Sequence, residues 1–249
     1  MFAPLTTWTP RALASDARDY AVDLWRVVES QHVASTMRLV DSLAEQALLE
    51  SIIEQSKPVL PAGTETLHYL LATPFRYRPR IGSRFRAPFD AGVWYGAEQL
   101  QTALAEKGYW LLRFLLDSPQ TPDLGPVPHT AFSASVRAKA LDLTRRPLAR
   151  HRETWTHRTD YAPTQTFALA ARDAGIAMIR YESVRDPEHN ACVAVLAPAA
   201  FRPPRPRHQE TWFILAARER VRCAKDRRSG TSWEFTREQL TGEIDGTPT

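Results

Sequence analysis

The chain of 249 residues is long enough for one large domain, and a hydrophobic content of 43% with seven tryptophans excludes global disorder. No apolar run approaches the roughly 18–20 residues that a membrane-spanning helix needs. The net charge is +4, and only four of the 32 basic residues are lysines. This excess of arginine favours phosphate or carboxylate partners, which a guanidinium group binds bidentately, but a coding bias towards arginine would produce the same composition.

The first ten residues lack the basic and apolar regions of a secretory signal, so we expect a cytoplasmic protein. Two cysteines, Cys192 and Cys223, lie in separate strand-like segments without metal-ligand spacing, and we expect buried, reduced thiols. Acidic pairs at helical spacing (Asp41 with Glu45, Glu50 with Glu54) have no histidine nearby in the sequence. We therefore interpret them as a solvated helix face and predict no metal site.

The N-terminal quarter of the chain is predicted to be helical. Apolar residues at three-to-four spacing indicate one helix over residues 15–31, with Ser15 as its cap, and a second from Met37 to Ile53 that ends before Pro58. We expect residues 1–63 to form a helical extension packed on a core domain over 64–240. A flexible tail is predicted over 241–249.

Four segments follow, and the last three carry the residues of a candidate binding site. Residues 73–80 are predicted to be extended with their arginines on one face, and Gly82 to Gly92 is typical of a loop. A short strand over 93–95 and a helix from Glu98 to near residue 117 come next. Arg84, Tyr95 and Glu106 then lie at two equal intervals of eleven residues. A cation, a ring and an acid on three neighbouring elements suit an anionic ligand that contains a ring.

The second half of the chain is predicted to contain one helix and several strands. The helix covers 163–175, with proline in its first turn and glycine at its end. Alternating patterns predict strands over 129–143, 176–181, 191–196, 211–223 and 231–235. We predict an α+β fold with a mixed or antiparallel sheet, because the helices are too few to cover a parallel one.

Neither of the two glycine-rich nucleotide-binding motifs occurs, nor a Gly-x-Ser-x-Gly elbow or a His-Glu-x-x-His helix. Ser183, followed by Arg185, fits either a nucleophile beside an anion clamp or a structural serine in a turn. The basic segment Arg145–Arg152 suggests nucleic acid, but one short cluster without a binding motif is weak evidence.

Four separated motifs together resemble the signature of the RES domain: Gly82-Ser-Arg-Phe, Trp94-Tyr-Gly, Thr102-Ala-Leu-Ala-Glu and Tyr181-Glu-Ser-Val-Arg. That family is named for an arginine, a glutamate and a serine, matched here by Arg84, Glu106 and Ser183. Phe75-Arg-Tyr resembles a further family element. The similarity covers about residues 70–200, and the N-terminal helices resemble the extension of longer RES proteins.

The resemblance implies a fold related to ADP-ribosyltransferases and diphtheria-type toxins. It also implies breakdown of NAD⁺ by hydrolysis or phosphorolysis, so that NAD⁺ is a consumed substrate, no cofactor is needed, and inorganic phosphate is the co-substrate if the reaction is phosphorolysis. Members of the family are commonly toxins, inhibited by an Xre-type helix-turn-helix antitoxin that plugs the active site. The resemblance implies no association with a membrane and contact with nucleic acid only through the antitoxin. It leaves open whether the chain forms a homo-oligomer.

The resemblance assigns roles to individual residues. Glu106 would stabilise the positive charge that develops when the nicotinamide–ribose bond breaks, as a carboxylate does in glycoside hydrolysis. Arg84 would bind the pyrophosphate. The other predicted contacts are to the phosphates (Arg76, Arg185) and to nicotinamide and its ribose (Tyr77, Tyr95, Ser183), with Ser183 also orienting Glu106.

Two departures from the family pattern leave alternatives open. Where family loops continue with asparagine and proline, this chain has Phe85-Arg-Ala-Pro, so Arg86 could share the role of Arg84. Glu182 competes with Glu106 as the catalytic acid, although the interval from Tyr95 favours Glu106. Alternative functions are a mono-ADP-ribosyltransferase that modifies a protein, an RNA-binding or RNA-cleaving module, and a non-catalytic NAD⁺-binding protein.

Overall fold

The computed structural model describes residues 8–30, 40–225 and 230–242. Within these ranges an eight-stranded mixed sheet is combined with seven α-helices, which confirms the predicted α+β class. The strands are β1 Arg18–Glu29, β2 Trp94–Ala97, β3 Leu124–Asp142, β4 Met178–Glu182, β5 Ala191–Val195, β6 His208–Ala216, β7 Arg220–Ala224 and β8 Ser232–Thr236. The helices are α1 Pro10–Asp16, α2 Leu43–Ser56, α3 Tyr69–Arg76, α4 Leu100–Asp117, α5 Arg152–Trp155, α6 Ala162–Asp173 and α7 Arg237–Thr241. None of the described helices is long and apolar enough to cross a membrane.

The long strand β3 organises the sheet. One edge of β3 pairs antiparallel with β1 from residue 129 to 140, while the other edge is shared between β6, at residues 124–133, and β4, at residues 140–142. Strands β4, β5 and β2 continue from there, and the pair Trp25–Ala97 joins β2 back to β1. These five strands therefore form a closed circuit, and β6, β7 and β8 extend the sheet beyond it.

Alternating side chains along the strands separate the core into two hydrophobic clusters. Ala131 in β3 and Cys192 in β5 belong to one cluster, and their neighbours Phe132 and Val193 belong to the other. Successive residues of a strand point to opposite faces, so the two clusters lie on the two sides of the sheet. The first cluster includes residues of α4 and α6, and the second includes residues of α3.

Helix α4 forms as its apolar spacing predicts and lies across the first side of the sheet. Leu104, Leu112 and Leu115 are fully buried. Gly108 allows a close approach to β7, because a Cβ atom there would lie 3.2 Å from Val221 Cγ1. The opposite part of the helix surface, which carries Glu106, is free to line a cavity.

The predicted helix over residues 15–31 is wrong, because residues 18–29 form strand β1. Twelve consecutive residue pairs with β3 stabilise this segment as a strand, and local helical spacing does not reveal such a distant partner. The second predicted helix is confirmed as α2, which begins after the side-chain cap of Ser42; its predicted start at Met37 lies outside the described residues. The domain boundary at residue 63 stays a prediction, although β1 already belongs to the core sheet.

The predicted extended segment over 73–80 is partly wrong, because residues up to Arg76 belong to helix α3. Pro74 lies inside this helix and has no N–H to donate to the carbonyl of Leu70. The indole nitrogen of Trp94 donates to that carbonyl instead, at 3.3 Å, so the proline is accommodated by a tertiary contact.

The C-terminal strands are three rather than two, since the predicted strand over 211–223 is divided into β6 and β7 by a turn. The predicted helix over 163–175 is confirmed as α6, and Gly175 follows it with a φ of +69°. The predicted strands corresponding to β3, β4 and β5 are also present.

Cys192 and Cys223 are both buried, as predicted. Residues 243–249 of the predicted tail lie outside the described residues.

Candidate functional site

A cavity of about 420 Å³ opens between α4, β1, β2 and the loops around residues 84, 161 and 185. The described residues that line it include four cations and two acids: Arg26, Arg84, Lys107, Arg185, Glu29 and Glu106. A concave site with a surplus of positive charge suits an anionic ligand.

Glu106 lines this cavity and is hydrogen-bonded to Ser183, although 77 residues separate the two in the sequence. The Ser183 hydroxyl donates to Glu106 Oε1 at 2.6 Å and accepts the backbone N–H groups of Arg185 and Asp186 at 3.2 and 3.1 Å. A serine hydroxyl has one proton and two acceptor lone pairs, so all of its hydrogen-bonding capacity is used. The geometry therefore favours a role for Ser183 in orienting Glu106 rather than in nucleophilic attack.

The turn that carries Ser183 is anchored to the helix that carries Glu106. Asp186, fully buried, accepts a hydrogen bond from Thr102 Oγ1 at 2.7 Å and another from Asn190 Nδ2 at 2.9 Å. Thr102 lies one turn before Glu106 on α4. This contact fixes the distance between the two elements and thus the Ser183–Glu106 hydrogen bond.

Arg84 is buried at the tip of a tight turn, in which Ser83 and Arg86 exchange backbone hydrogen bonds. Its Nη1 donates to the carbonyls of Trp155 and His157 at 2.7 and 2.9 Å, and its guanidinium lies over the ring of Tyr161 at 4.8 Å. Within the described part of the chain its Nε and Nη2 atoms make no hydrogen bond. Those donors are available to a bound anion.

Helix α6 and strand β2 hold this arginine turn in place. Thr164 Oγ1 donates to the carbonyl of Arg84, and Gln165 Nε2 donates to the carbonyl of Ser83 at 3.0 Å. The Tyr95 hydroxyl shares a hydrogen bond with Ser83 Oγ at 2.8 Å and accepts the N–H of Phe85 at 3.0 Å. The hydroxyl of Tyr95 therefore organises the turn, and its ring lines the cavity.

Arg185 is the second buried arginine of the site. Its guanidinium stacks over the ring of Tyr109 at 3.7 Å, and its Nη2 donates to the carbonyl of Arg158 at 2.7 Å. Like Arg84, it is held by an aromatic ring and a backbone carbonyl without any carboxylate partner among the described residues. Two oriented arginines flanking one glutamate are thus preorganised for an anionic ligand.

Burial governs the titration of the site. It raises the pKa of Glu106, while the Ser183 hydrogen bond and the nearby charges of Arg185 and Arg84 act in the opposite direction. Burial also raises the pKa of Tyr95 and raises that of Cys192 well above its ordinary value. The Cys192 thiol, 4.0 Å from Glu106 Oε1, is consequently neutral and unreactive at ordinary pH.

Arg76 and Tyr77 are not brought to this cavity. Both line a second cavity bounded by the segment 58–62 and helix α3. Arg76 pairs with Glu54 at 2.7 Å and bonds the carbonyl of Pro58 at 2.5 Å, so it fixes α2 to α3. The substrate contacts predicted for these two residues receive no support from their positions.

The two alternatives raised by the sequence also lie outside the cavity. The guanidinium of Arg86 donates to the carbonyls of Pro79, Ile81 and Ala87, which makes it a clamp within its own loop. Glu182 forms a bidentate pair with Arg152 at 2.8 and 2.5 Å. That pair also removes one arginine from the basic segment that suggested RNA binding.

Sequence reasoning missed several cavity residues: Trp25, Arg26, Lys107, Tyr109, Trp110 and Tyr161. Arg26 Nη1 donates to the carbonyl of Tyr95 at 2.7 Å, and burial lowers the pKa of Arg26 to about 10, so it is still charged at neutral pH. An arginine within the apolar run Leu24–Val28 was the available signal. The assignment of that run to a helix of the N-terminal extension concealed it. No group of three or more metal-ligating side chains occurs in the ranges that the structure describes.

Comparisons with known proteins agree with this architecture. The family model described as RES domain matches residues 60–215. The crystal structure of the MbcT-MbcA toxin-antitoxin complex from M. tuberculosis contains a similar chain, with a TM-score of 0.51 and 13% sequence identity over 81% of this chain and 90% of that one. At that identity the likeness shows a shared fold. No curated protein matches the sequence.

Proposed function

Since the chain belongs to the RES domain family, we propose that it is the toxin of a toxin–antitoxin pair and that it degrades NAD⁺ by cleaving the nicotinamide–ribose bond. The observation that carries this proposal is the Glu106 carboxylate, held by Ser183 at 2.6 Å in a cavity that also contains Arg84 and Arg185. A buried carboxylate beside two arginines supports this reaction, because the carboxylate can stabilise positive charge and the arginines can bind phosphate.

Cleavage breaks the bond between the nicotinamide nitrogen and ribose C1′. The bonding electron pair goes to the nitrogen, which neutralises the positive charge of the pyridinium ring, so the leaving group needs no proton. The ribose acquires oxocarbenium-like positive charge, and the Glu106 carboxylate stabilises that charge. Water then forms the new bond to C1′ and releases one proton to the solvent, which gives hydrolysis, or a phosphate oxygen forms that bond, which gives phosphorolysis.

The arginines bind the rest of the substrate in this proposal. Arg84 directs its Nε and Nη2 donors, which have no hydrogen-bond partner among the described residues, to the pyrophosphate, and Arg185 contributes a second cation. The ring of Tyr95 faces the nicotinamide ribosyl group. Ser183 acts through Glu106 and is a positioning residue.

A partner that covers the cavity follows from the same proposal. The structurally similar chain comes from a toxin–antitoxin complex, which supports an antitoxin as the partner of this chain. We expect an Xre-type helix-turn-helix protein that occludes the cavity in the cytoplasm and thereby protects cellular NAD⁺. Nucleic acid would be reached only through that partner.

The direct test is incubation of the purified, antitoxin-free chain with NAD⁺, with and without inorganic phosphate. Release of nicotinamide with ADP-ribose indicates hydrolysis, whereas a phosphorylated ADP-ribose that forms only with phosphate indicates phosphorolysis. Glu106→Gln is the inactive control and Glu182→Gln the matched acidic control, expected to be active. Absence of nicotinamide release by folded protein would overturn the proposal, and label from NAD⁺ appearing on a protein would favour a mono-ADP-ribosyltransferase.

A further inference from the structure

Trp110 is an exposed aromatic residue at the rim of the cavity. Its side chain is 53% exposed, yet it contributes to the cavity lining. A tryptophan offers a large rigid ring for stacking, and this one is open to solvent beside a charged cavity.

Trp110 lies on the same stripe of α4 as the proposed catalytic acid. Residues 103, 106, 107 and 110 of the helix all line the cavity, and Trp110 follows Glu106 by four residues, a rise of about 6 Å. Lys107 lines the same cavity and lies one turn before Trp110 on the helix. Its ammonium has no ion-pair partner in the described part of the chain, so a cation is available beside the indole.

The two ends of the cavity differ in burial. Around Glu106 the lining residues Cys192 and Arg185 are at most 4% exposed, and Ser183, which holds the carboxylate, is fully buried. The bond to be cleaved lies at this closed end, together with the nicotinamide ring attached to it. A volume of about 420 Å³ is near the lower end of the roughly 300–1,000 Å³ usual for ligand sites, so the second ring of a dinucleotide lies towards the open end.

We propose that the indole of Trp110 stacks on the adenine ring of NAD⁺ and that Lys107 binds the adenosine-side phosphate. This inference rests on the proposed function, because it takes NAD⁺ as the substrate. It makes Trp110 a residue that distinguishes the dinucleotide from nicotinamide mononucleotide, which has the same scissile bond but no adenosine.

The test compares kcat and KM for NAD⁺ and for nicotinamide mononucleotide in Trp110→Ala, Trp110→Phe and Phe114→Ala. If the mononucleotide is not turned over, its inhibition constant against NAD⁺ replaces its KM. Phe114 is the matched control, since it lies one turn farther along α4 and is 52% exposed but does not line the cavity.

For Trp110→Ala we expect the KM for NAD⁺ to rise about tenfold, equivalent to about 1.4 kcal/mol of lost stacking, with kcat and the constant for the mononucleotide little changed. Trp110→Phe should recover most of the affinity, and Phe114→Ala should behave as wild type. An unchanged KM for NAD⁺ in Trp110→Ala, or an equal rise for both ligands, would overturn the inference. If the wild-type protein does not consume NAD⁺, the proposed function itself fails, so the two failures are distinguishable.

Discussion

Replacing Ser183 with alanine tests the central hydrogen bond of the site. In the native protein the hydroxyl donates to Glu106 and accepts two backbone N–H groups, so Ser183→Ala removes the only described hydrogen-bond donor within 3 Å of that carboxylate. The substitution deletes a single oxygen atom from a side chain that is 0% exposed. Its main consequence should therefore be electrostatic and orientational rather than steric.

The expected magnitude follows from the type of hydrogen bond. Hydrogen bonds to charged groups contribute about 1.5–3 kcal/mol, which converts to a loss of roughly 10- to 150-fold in kcat/KM if the bond is made in full in the transition state. The pH dependence gives a second readout. Ser183 lowers the pKa of Glu106 while burial raises it, so its removal raises that pKa further. In the proposed mechanism the ionised carboxylate is the active form, so the variant should lose activity at a higher pH than wild type as the pH falls.

The assay is nicotinamide release from NAD⁺ as a function of pH, with thermal unfolding measured in parallel. Ser133→Ala is the matched control, because Ser133 is 2% exposed and its Oγ has no hydrogen-bond partner within the described residues. That control should retain both the rate and the pH profile. The proposed link between Ser183 and Glu106 would be refuted if the acid limb of the pH–rate profile were the same in Ser183→Ala as in the wild type, even if the rate of the variant were lower.

Expected outcomes for four further variants follow. Glu106→Gln should lower kcat about 100- to 1,000-fold. Because burial raises the pKa of Glu106, ionisation of this carboxyl group destabilises the folded protein as the pH rises through that pKa. The variant should therefore unfold at a higher temperature than wild type at neutral pH, and the difference between the two unfolding temperatures should narrow in acid. Glu182→Gln should leave kcat/KM unchanged and lower the free energy of unfolding by less than about 1 kcal/mol, since its partner Arg152 lies outside the cavity. Gly92→Ala should lower the free energy of unfolding by about 1–3 kcal/mol in denaturant titrations, because its Cβ would lie 2.0 Å from a backbone carbonyl oxygen of α3. Gly125→Ala, with no atom within 4 Å, should be neutral or stabilising.

The sequence by itself predicted the parts of the fold that depend on local patterns. Helix α4 has a continuous apolar stripe, and α6 begins with a proline and ends before a glycine with positive φ, so local chemistry was sufficient for both. The resemblance to RES proteins also selected Arg84, Glu106 and Ser183. The structure places Arg84 and Glu106 in the lining of one cavity and Ser183 in a hydrogen bond to Glu106.

Other features depended on partners that are distant in the sequence. Residues 18–29 have spacing compatible with a helix, but β3, more than a hundred residues later, pairs with them as a strand. That pairing brings Arg26 into the cavity, which no local pattern indicated. Arg76 and Arg86 look like anion ligands in the sequence, yet their guanidinium groups bond backbone carbonyls and Glu54 instead.

The sequence alone therefore specified which residue types the site contains, and the tertiary structure decided which of them meet. Local patterns reflect the free energy of single helices and strands, which depends on neighbours within a few residues. The Ser183–Glu106 contact depends on Asp186 bonding Thr102 across 84 residues, and on a buried hydroxyl that must satisfy three partners at once. Such constraints arise only when the elements pack, because burial removes the water that would otherwise satisfy each polar group separately.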